Sequence, residues 1–208
     1  MSTPLDLRQF QHQGYSFEEY VALSTQLFKE GKSTSTPAMD EPEILDYIKL
    51  NLQRMQRVLK TTELSAELQE VVRKIKTPQL WLVLTESWCG DAAQTVPLFH
   101  LMAQQNPLIT TVYLLRDKTP VLMDAYLQNG KSRSIPKLII ADASTGEGIT
   151  HWGPRPQALQ TIYSSMLAKG DDFNTIKHEL HSWYAKDKTS TSQQELYQLL
   201  KAAETATN

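Results

Sequence analysis

The residue with the most distinctive chemistry is Cys89, the only cysteine of the chain, which lies in the segment Glu86–Pro97, ESWCGDAAQTVP. A Trp-Cys-Gly run is typical of a thiol pair that exchanges electrons with disulfides, but this chain has no second thiol. In a dithiol enzyme the first thiolate attacks a substrate disulfide, and the second thiol then releases the product from the mixed disulfide. Cys89 alone can form the mixed disulfide but needs an outside thiol for the release.

The reactivity of Cys89 depends on the helix that is predicted to begin just after it. The unpaired N–H groups and the positive end of a helix dipole stabilise a thiolate. Asp91 acts in the opposite direction, because a nearby carboxylate disfavours a second negative charge, and it can also cap the helix. We expect an exposed and modestly activated thiol. The alternative is an inert cysteine that packs as a small buried hydrophobic residue.

Other kinds of reactive site find little support in the sequence. Cys89, Asp91 and His100 are the nearest metal-ligand types, but no second cysteine or close histidine pair accompanies them. There is no glycine-rich phosphate loop and no interleaving of aromatic and basic residues. The 21 Lys and Arg residues against 23 Asp and Glu give a net charge of -2, which argues against binding to nucleic acid. We therefore predict no metal, no cofactor and no nucleic-acid partner.

The composition is typical of a globular protein of a reducing compartment. A single cysteine excludes an internal disulfide, and 208 residues that are 40% hydrophobic allow a substantial core. The first residues, MSTPLDLRQFQHQG, lack the basic start and the apolar stretch of a secretory signal. No run is long enough to span a bilayer. We expect a soluble, cytoplasmic protein without a membrane partner.

Helices are predicted for the first third of the chain. Ser16 and Glu19 form the capping-box pattern at the start of one helix. A second helix is expected to have Asp40 as its cap and Pro42 in its first turn, and a third helix is expected over 62–76. These helices precede every predicted strand.

The middle of the chain alternates strands and helices. A continuous apolar run predicts a strand at 80–86 that is covered on both faces, and a β-branched segment predicts another at 109–116. A helix that contains Pro97 connects them. The segments 137–142 and 148–152 form a predicted hairpin. Because a strand–helix–strand unit makes its strands parallel, the pattern predicts an α/β protein with a central mixed four-stranded sheet.

These elements, with the residues they carry, resemble the thioredoxin superfamily. Trp88–Gly90 follows the first central strand and begins a helix, and Pro97 lies where that family has a helix-kinking proline. The segment SRSIPKLII resembles the family's loop around a cis bond, which points to Ile135-Pro136, and Gly153 falls near the family's late glycine. The segment ESWCGDAAQ is similar to the corresponding segment in a bacterial branch of thioredoxin-like proteins.

The resemblance implies a thioredoxin-like fold with extra helices at both ends. In this division, 1–60 is an N-terminal helical extension packed on the core, 61–170 is the thioredoxin-like domain, and 171–208 is a C-terminal helical extension. The family's strand order also implies that the first strand of the sheet lies beside the third.

The resemblance also implies the residues of the site, with Cys89 as the catalytic candidate. In the family the cis proline packs beside the redox cysteine and exposes the preceding backbone, to which an extended peptide can add as a strand. The residues implied for substrate binding are Trp88, Gly90, Asp91, Ile135 and Pro136. Arg133 is either close enough to meet the carboxylate of a small thiol or a solvated surface residue.

Two departures from the family pattern define the hypotheses on function. Ala92 replaces the second cysteine, and Val83 replaces the buried acid six residues before the first one. The first hypothesis is a monothiol thiol–disulfide oxidoreductase, which forms mixed disulfides through Cys89 with a protein or a low-molecular-weight thiol. The alternative is a redox-inactive binding protein that holds a peptide or protein on the face of Cys89 and Pro136.

Overall fold

The computed structural model describes residues 5–207, in which a mixed sheet is surrounded by helices. The helices are α1 (Phe17–Lys29), α2 (Pro42–Thr61), α3 (Ala66–Arg73), α4 (Gly90–Ala103), α5 (Pro120–Ala125), α6 (Gln157–Lys169), α7 (Phe173–Asp187) and α8 (Ser190–Thr207). The strands are β1 (Gln79–Thr85), β2 (Ile109–Leu115), β3 (Lys137–Asp142) and β4 (Gly148–Trp152). They lie in the order β2-β1-β3-β4, with β1 parallel to β2 and antiparallel to β3. The predicted α/β fold, with its mixed four-stranded sheet and its first strand beside the third, is confirmed.

β1 is a central strand because it offers apolar side chains to both faces of the sheet. All of its residues from Leu80 to Thr85 are buried. Leu82 pairs with Val112 of β2 on one side and with Ile139 of β3 on the other. The chain passes from the carboxyl end of β1 directly to Cys89 and α4. The centre of the sheet therefore positions the cysteine.

The N-terminal helices contribute to the same hydrophobic core as the sheet. Ser16 Oγ accepts a hydrogen bond from the Glu19 N–H, and the Glu19 carboxylate accepts one from the Ser16 N–H, so the predicted capping box is confirmed. Phe17 and Tyr20 of α1 and Met55 of α2 are buried in this core. Burial of these side chains holds both helices against β2 and α4.

Two helix starts differ from the predicted ones because the capping side chains differ. Asp40 does not cap α2: its carboxylate accepts a hydrogen bond from the Ser33 N–H at 2.7 Å, and Glu41 occupies the cap position. α3 begins later than predicted because Ser65 caps it, with its hydroxyl oxygen accepting a hydrogen bond from the Leu68 N–H at 3.2 Å. In both places a local hydrogen bond decides where the helix begins.

A second and smaller hydrophobic cluster lies between α6 and α7. Its buried members are Leu159, Ile176, Leu180 and Tyr184, and it is separate from the main core. Hydrogen bonds from α7 to α2 and to the start of α4 place α7 over the Cys89 region. Within residues 5–207, no helix is both long enough and apolar enough to cross a membrane.

Candidate functional site

Cys89 caps α4, and its thiol lies between that helix and the loop before β3. Its Sγ accepts a hydrogen bond from the Ala92 N–H at 3.4 Å. The thiol in turn donates to the backbone oxygen of Ile135, with 3.3 Å between Sγ and O. The Ile135-Pro136 bond is cis, and its loop contacts the cysteine, so both predictions about this loop are confirmed.

Cys89 is buried, contrary to the expectation of an exposed and activated thiol. Only 7% of its surface is exposed. Burial, together with the nearby Asp91 carboxylate, raises the pKa of the Cys89 thiol to about 12, and the hydrogen bond from the Ala92 N–H opposes only part of this increase. The thiol is therefore protonated at neutral pH. The expectation is wrong because it took account of the helix terminus but not of the side chains that cover it.

Asp91 lies inside the site, with both carboxylate oxygens bound by the chain itself. The Tyr184 hydroxyl donates to Oδ1 at 2.8 Å, and the Arg155 guanidinium binds Oδ2 at 2.7 Å. The side chains of Asp91 and Arg155 are each 10% exposed. Tyr184 belongs to α7 and Arg155 lies just before α6. The Asp91 carboxylate therefore connects both helices to the start of α4 by hydrogen bonds.

A second polar contact holds α7 over Gly90. The Tyr47 hydroxyl on α2 lies 2.5 Å from His181 Nε2 on α7. Burial, together with the positive charge of Arg54, lowers the pKa of His181 to about 3, so the ring is neutral. A Cβ on Gly90 would lie 2.2 Å from the Tyr47 hydroxyl and 2.7 Å from His181 Cε1. A larger residue at position 90 would therefore force these two side chains to move, because they approach the backbone so closely.

We expect Gly90→Ala to move α7 away from Cys89. Tyr47 and His181 must shift to make room for the new Cβ, and their hydrogen bond is lost. Overpacking of this kind lowers the free energy of unfolding by about 1–3 kcal/mol, and urea denaturation measures this loss. Cys89 should also react faster with iodoacetamide. Adding Tyr47→Phe removes the clashing oxygen, so the double variant should lose less than the sum of the two single losses. If the loss in the double variant equals the sum of the two single losses, the Tyr47 oxygen does not clash with the new Cβ.

An open cleft of about 290 Å³ lies beside Cys89. The start of α4, the loop before β3 and one face of α7 form its walls. Of the residues implied for the site by the sequence, those that line the cleft are Trp88, Cys89, Gly90, Asp91 and Ile135. Pro136 follows Ile135 but is not part of the lining.

Trp88 and two arginines lie along another wall of the cleft. The Arg116 guanidinium lies 4.7 Å from the centre of the Trp88 ring. Arg133 also lines the cleft, but its guanidinium pairs with the Asp124 carboxylate at 2.6 Å, and both side chains are about half exposed. The structure therefore places Arg133 near the site, in an ion pair of its own.

Glu86 is a buried acid near the site that the sequence patterns do not reveal. Its carboxylate accepts hydrogen bonds from the Thr34 hydroxyl and from the Asp117 N–H, the latter at 3.1 Å. Burial raises the pKa of Glu86 to about 7. Val83, at the position of the family's buried acid, is fully buried in β1. The Glu86 carboxyl group thus lies three residues before Cys89 in the chain, whereas the acid of the family lies six residues before it. Its hydrogen bonds connect it to two neighbouring segments, at Thr34 and at Asp117.

The residues considered as metal ligands are not brought together. His100 lies in the last turn of α4, where its ring stacks on Phe17 with 4.2 Å between the ring centres. Cys89 lies at the opposite end of the same helix. Among residues 5–207, no group of three or more His, Cys, Asp or Glu side chains is close enough to hold a metal ion.

The side chains that bind Asp91, two residues after Cys89, come from distant parts of the chain. Arg155 and Tyr184 are 64 and 93 positions away from Asp91 in the sequence. In the sequence, only the apolar spacing of α7 indicates that Tyr184 is buried. Tyr184 follows Leu180 by four residues, so the two side chains share a helical face. That spacing indicates an inward-facing residue but does not indicate its partner.

Comparisons with known proteins identify a family and a shared fold. A family model described as Thioredoxin matches residues 38–169, which is more than half of the chain. A protein of unknown function from Pseudomonas aeruginosa, PA1234, is 15% identical in its crystal structure, with a TM-score of 0.58 over 98% of this chain and 99% of that one. The crystal structure of an HIV epitope-scaffold is 14% identical, with a TM-score of 0.59 over 95% of this chain and 99% of that one. No curated protein matches the chain.

At such low identities the two solved structures are similar to this chain in fold alone. The family match is more informative, because it includes β1, the Cys89 segment and the loop of the cis proline. The chain therefore belongs to the thioredoxin family.

Proposed function

We propose that this protein binds a ligand in the cleft beside Cys89 and does not turn over disulfides. The observation that carries the proposal is the 3.3 Å contact between Sγ and the Ile135 oxygen, in a cysteine that is only 7% exposed. A thioredoxin-like oxidoreductase offers its thiolate and the backbone before the cis proline to the substrate. In this chain those two groups are hydrogen-bonded to each other.

The protonation state of the thiol supports the same conclusion. The thiolate is the nucleophile in disulfide exchange. With the pKa of Cys89 at about 12, only a very small fraction of the thiol is ionised at pH 7. Ala92 provides no second thiol to release a mixed disulfide. A cleft without an available nucleophile is better suited to holding a ligand than to transforming one.

The experiment that tests this proposal is alkylation of Cys89 by iodoacetamide as a function of pH. The folded protein should react at least about a hundredfold more slowly than the protein in urea, because an unfolded cysteine has a pKa of about 8.5. Its rate should rise about tenfold per pH unit up to the highest pH at which it stays folded. A plateau near pH 8 in the folded protein would contradict the proposal.

Stability provides a second readout of the same pKa. Because folding raises the pKa of Cys89, the native state keeps its proton at pH values where the unfolded chain loses it. This contribution to stability is therefore complete below about pH 8.5 and is lost as the pH rises towards 12. Cys89→Ala should remove this part of the alkaline loss, whereas an equal loss in both proteins would count against the buried neutral thiol.

Monothiol exchange is the second candidate function, and the Ala92 N–H bound to Sγ favours it. A backbone N–H at a helix start stabilises a thiolate once one forms. The Cys89 thiolate would then attack one sulfur of a disulfide, the S–S bond would break, and the other sulfur would leave as a thiolate. An outside thiol would attack the mixed disulfide and restore Cys89. Rapid turnover of a small mixed disulfide with added thiol, abolished in Cys89→Ser, would establish this function and overturn the binding-only proposal.

A further inference from the structure

We propose that the ligand of the cleft is a small molecule with a flat apolar body and one anionic group, and that Lys177 binds the anion. This inference rests on the proposed binding role of the cleft and adds the chemical class of the ligand. It depends on three features of the lining: the balance of charge, the position of Lys177 and the apolar walls.

Positive charge exceeds negative charge in the lining. The cations that line the cleft are Arg116, Arg133, Arg155 and Lys177. Within the described part of the chain, Asp91 supplies the one lining carboxylate, and Arg155 already binds it. Arg116 and Arg133 each pair with an aspartate outside the lining. Among the residues that the structure describes, Lys177 is therefore the lining cation whose positive charge has no carboxylate partner, and this charge favours binding of an anion in the cleft.

Lys177 differs from the three arginines in its surroundings. It makes no ion pair among residues 5–207. Its Nζ lies 5.1 Å from the centre of the Tyr47 ring and 5.7 Å from that of Phe173. Aromatic faces attract an ammonium group but do not neutralise its charge. The two rings therefore hold Lys177 at the cleft with its charge available to a ligand.

The other walls of the cleft are mainly apolar. Ile135, Ile176 and Leu180 line it together with the rings of Tyr47 and Trp88. Sites for small molecules commonly combine apolar walls with a few polar groups, because burial provides affinity and the polar groups fix the orientation. A volume of about 290 Å³ is at the small end of such sites. A single-ring carboxylate has the size and the charge that these features favour.

The experiment compares para-fluorobenzoate with para-fluorobenzamide, which have the same ring but differ in charge, by fluorine NMR titration of the full chain. The benzoate should bind about tenfold more tightly, as expected for one hydrogen bond to a charged group. Lys177→Gln should make the two affinities equal. Lys169→Gln, at the exposed end of α6, is the matched control and should keep the preference for the benzoate.

Cys89 reports whether the probe occupies the cleft. Saturating benzoate should slow alkylation of Cys89 in the natural chain, whereas an unchanged rate would place the probe elsewhere and overturn the inference. Equal binding of both probes, binding of neither, or a preference that survives Lys177→Gln would also overturn it. The absence of an available nucleophile, on which the proposed function rests, is tested separately, because the pH profile of alkylation involves no ligand.

Discussion

Replacing Asp91 with alanine is expected to lower the free energy of unfolding by about 3–5 kcal/mol. The change leaves the Arg155 guanidinium, which is 10% exposed, without its counter-ion, and the Tyr184 hydroxyl without its acceptor. An unpaired buried charge is costly because neither water nor protein solvates it. Urea denaturation followed by circular dichroism measures the loss. Cys89 should also react faster with iodoacetamide, because the Asp91 carboxylate contributes to its raised pKa.

Asp124→Ala is the matched control, because it breaks a second Asp–Arg pair at the same cleft. The shortest N–O distances are similar, 2.6 Å between Arg133 and Asp124 and 2.7 Å between Arg155 and Asp91, although Arg133 binds both oxygens of Asp124 and Arg155 binds only Oδ2 of Asp91. The two pairs differ in exposure, since the side chains of Arg133 and Asp124 are 52% and 50% exposed. An exposed pair contributes little to stability, so this variant should unfold almost like the natural chain. Equal losses in the two variants would show that burial does not set the strength of the Asp91 pair.

Ala92→Cys is expected to give the chain an intramolecular disulfide with Cys89. The backbone N–H of residue 92 already lies 3.4 Å from the Cys89 sulfur. Residues three apart at a helix start face the same side. Ala92 is 2% exposed, and the substitution adds only one sulfur atom. After mild oxidation, the variant should lose the mass of two hydrogens and its reactivity towards iodoacetamide.

The same variant should stay nearly as inactive as the natural chain in reducing a protein disulfide with dithiothreitol as the electron donor. A second thiol could release a mixed disulfide, but the Cys89 thiol that would have to form it is buried and keeps its proton. Reduction of the protein disulfide by this variant would favour the monothiol exchange function over the binding-only proposal, and the missing carboxyl group at Val83 should then keep its rate below that of a thioredoxin. Ala93→Cys is the control: Ala93 is equally buried, at 2% exposure, but lies on a different face of α4. If the thiols at 89 and 92 stay free under oxidant, the helix start does not have the expected shape.

The parts of this molecule that could be predicted from its sequence depend on neighbours in the chain or on a family pattern. The apolar run of β1 identifies a buried strand without reference to any partner. The capping box of Ser16 and Glu19 involves residues three positions apart. The cis bond at Ile135-Pro136 and its approach to Cys89 followed from the resemblance to the thioredoxin superfamily.

The surroundings of Cys89 could not be predicted, because they depend on contacts between distant segments. In the sequence, Asp91 is equally suited to cap a helix, to bind a ligand or to form an ion pair. Only the fold shows that Arg155 and Tyr184 bind its two oxygens. The spacing of Ile176 and Leu180 gives α7 an inner face, but it does not say what that face covers. Only the fold shows that this helix and Cys89 line the same cleft.

The separate hydrophobic cluster between α6 and α7 has a consequence for hydrogen exchange and for every measurement on the thiol. A unit that shares few apolar contacts with the main core opens at a lower free energy than the whole molecule unfolds. The amide hydrogens of α7 should therefore exchange before those of β1. Because α7 forms one wall of the cleft that Cys89 lines, we expect opening of α7 to increase access to the thiol. The reaction rate of the thiol is then the rate in the open state multiplied by the fraction of molecules that are open. A substitution in α7 that shifts this equilibrium by about 1.4 kcal/mol changes the apparent reactivity of Cys89 about tenfold, although the chemistry of the sulfur is unchanged.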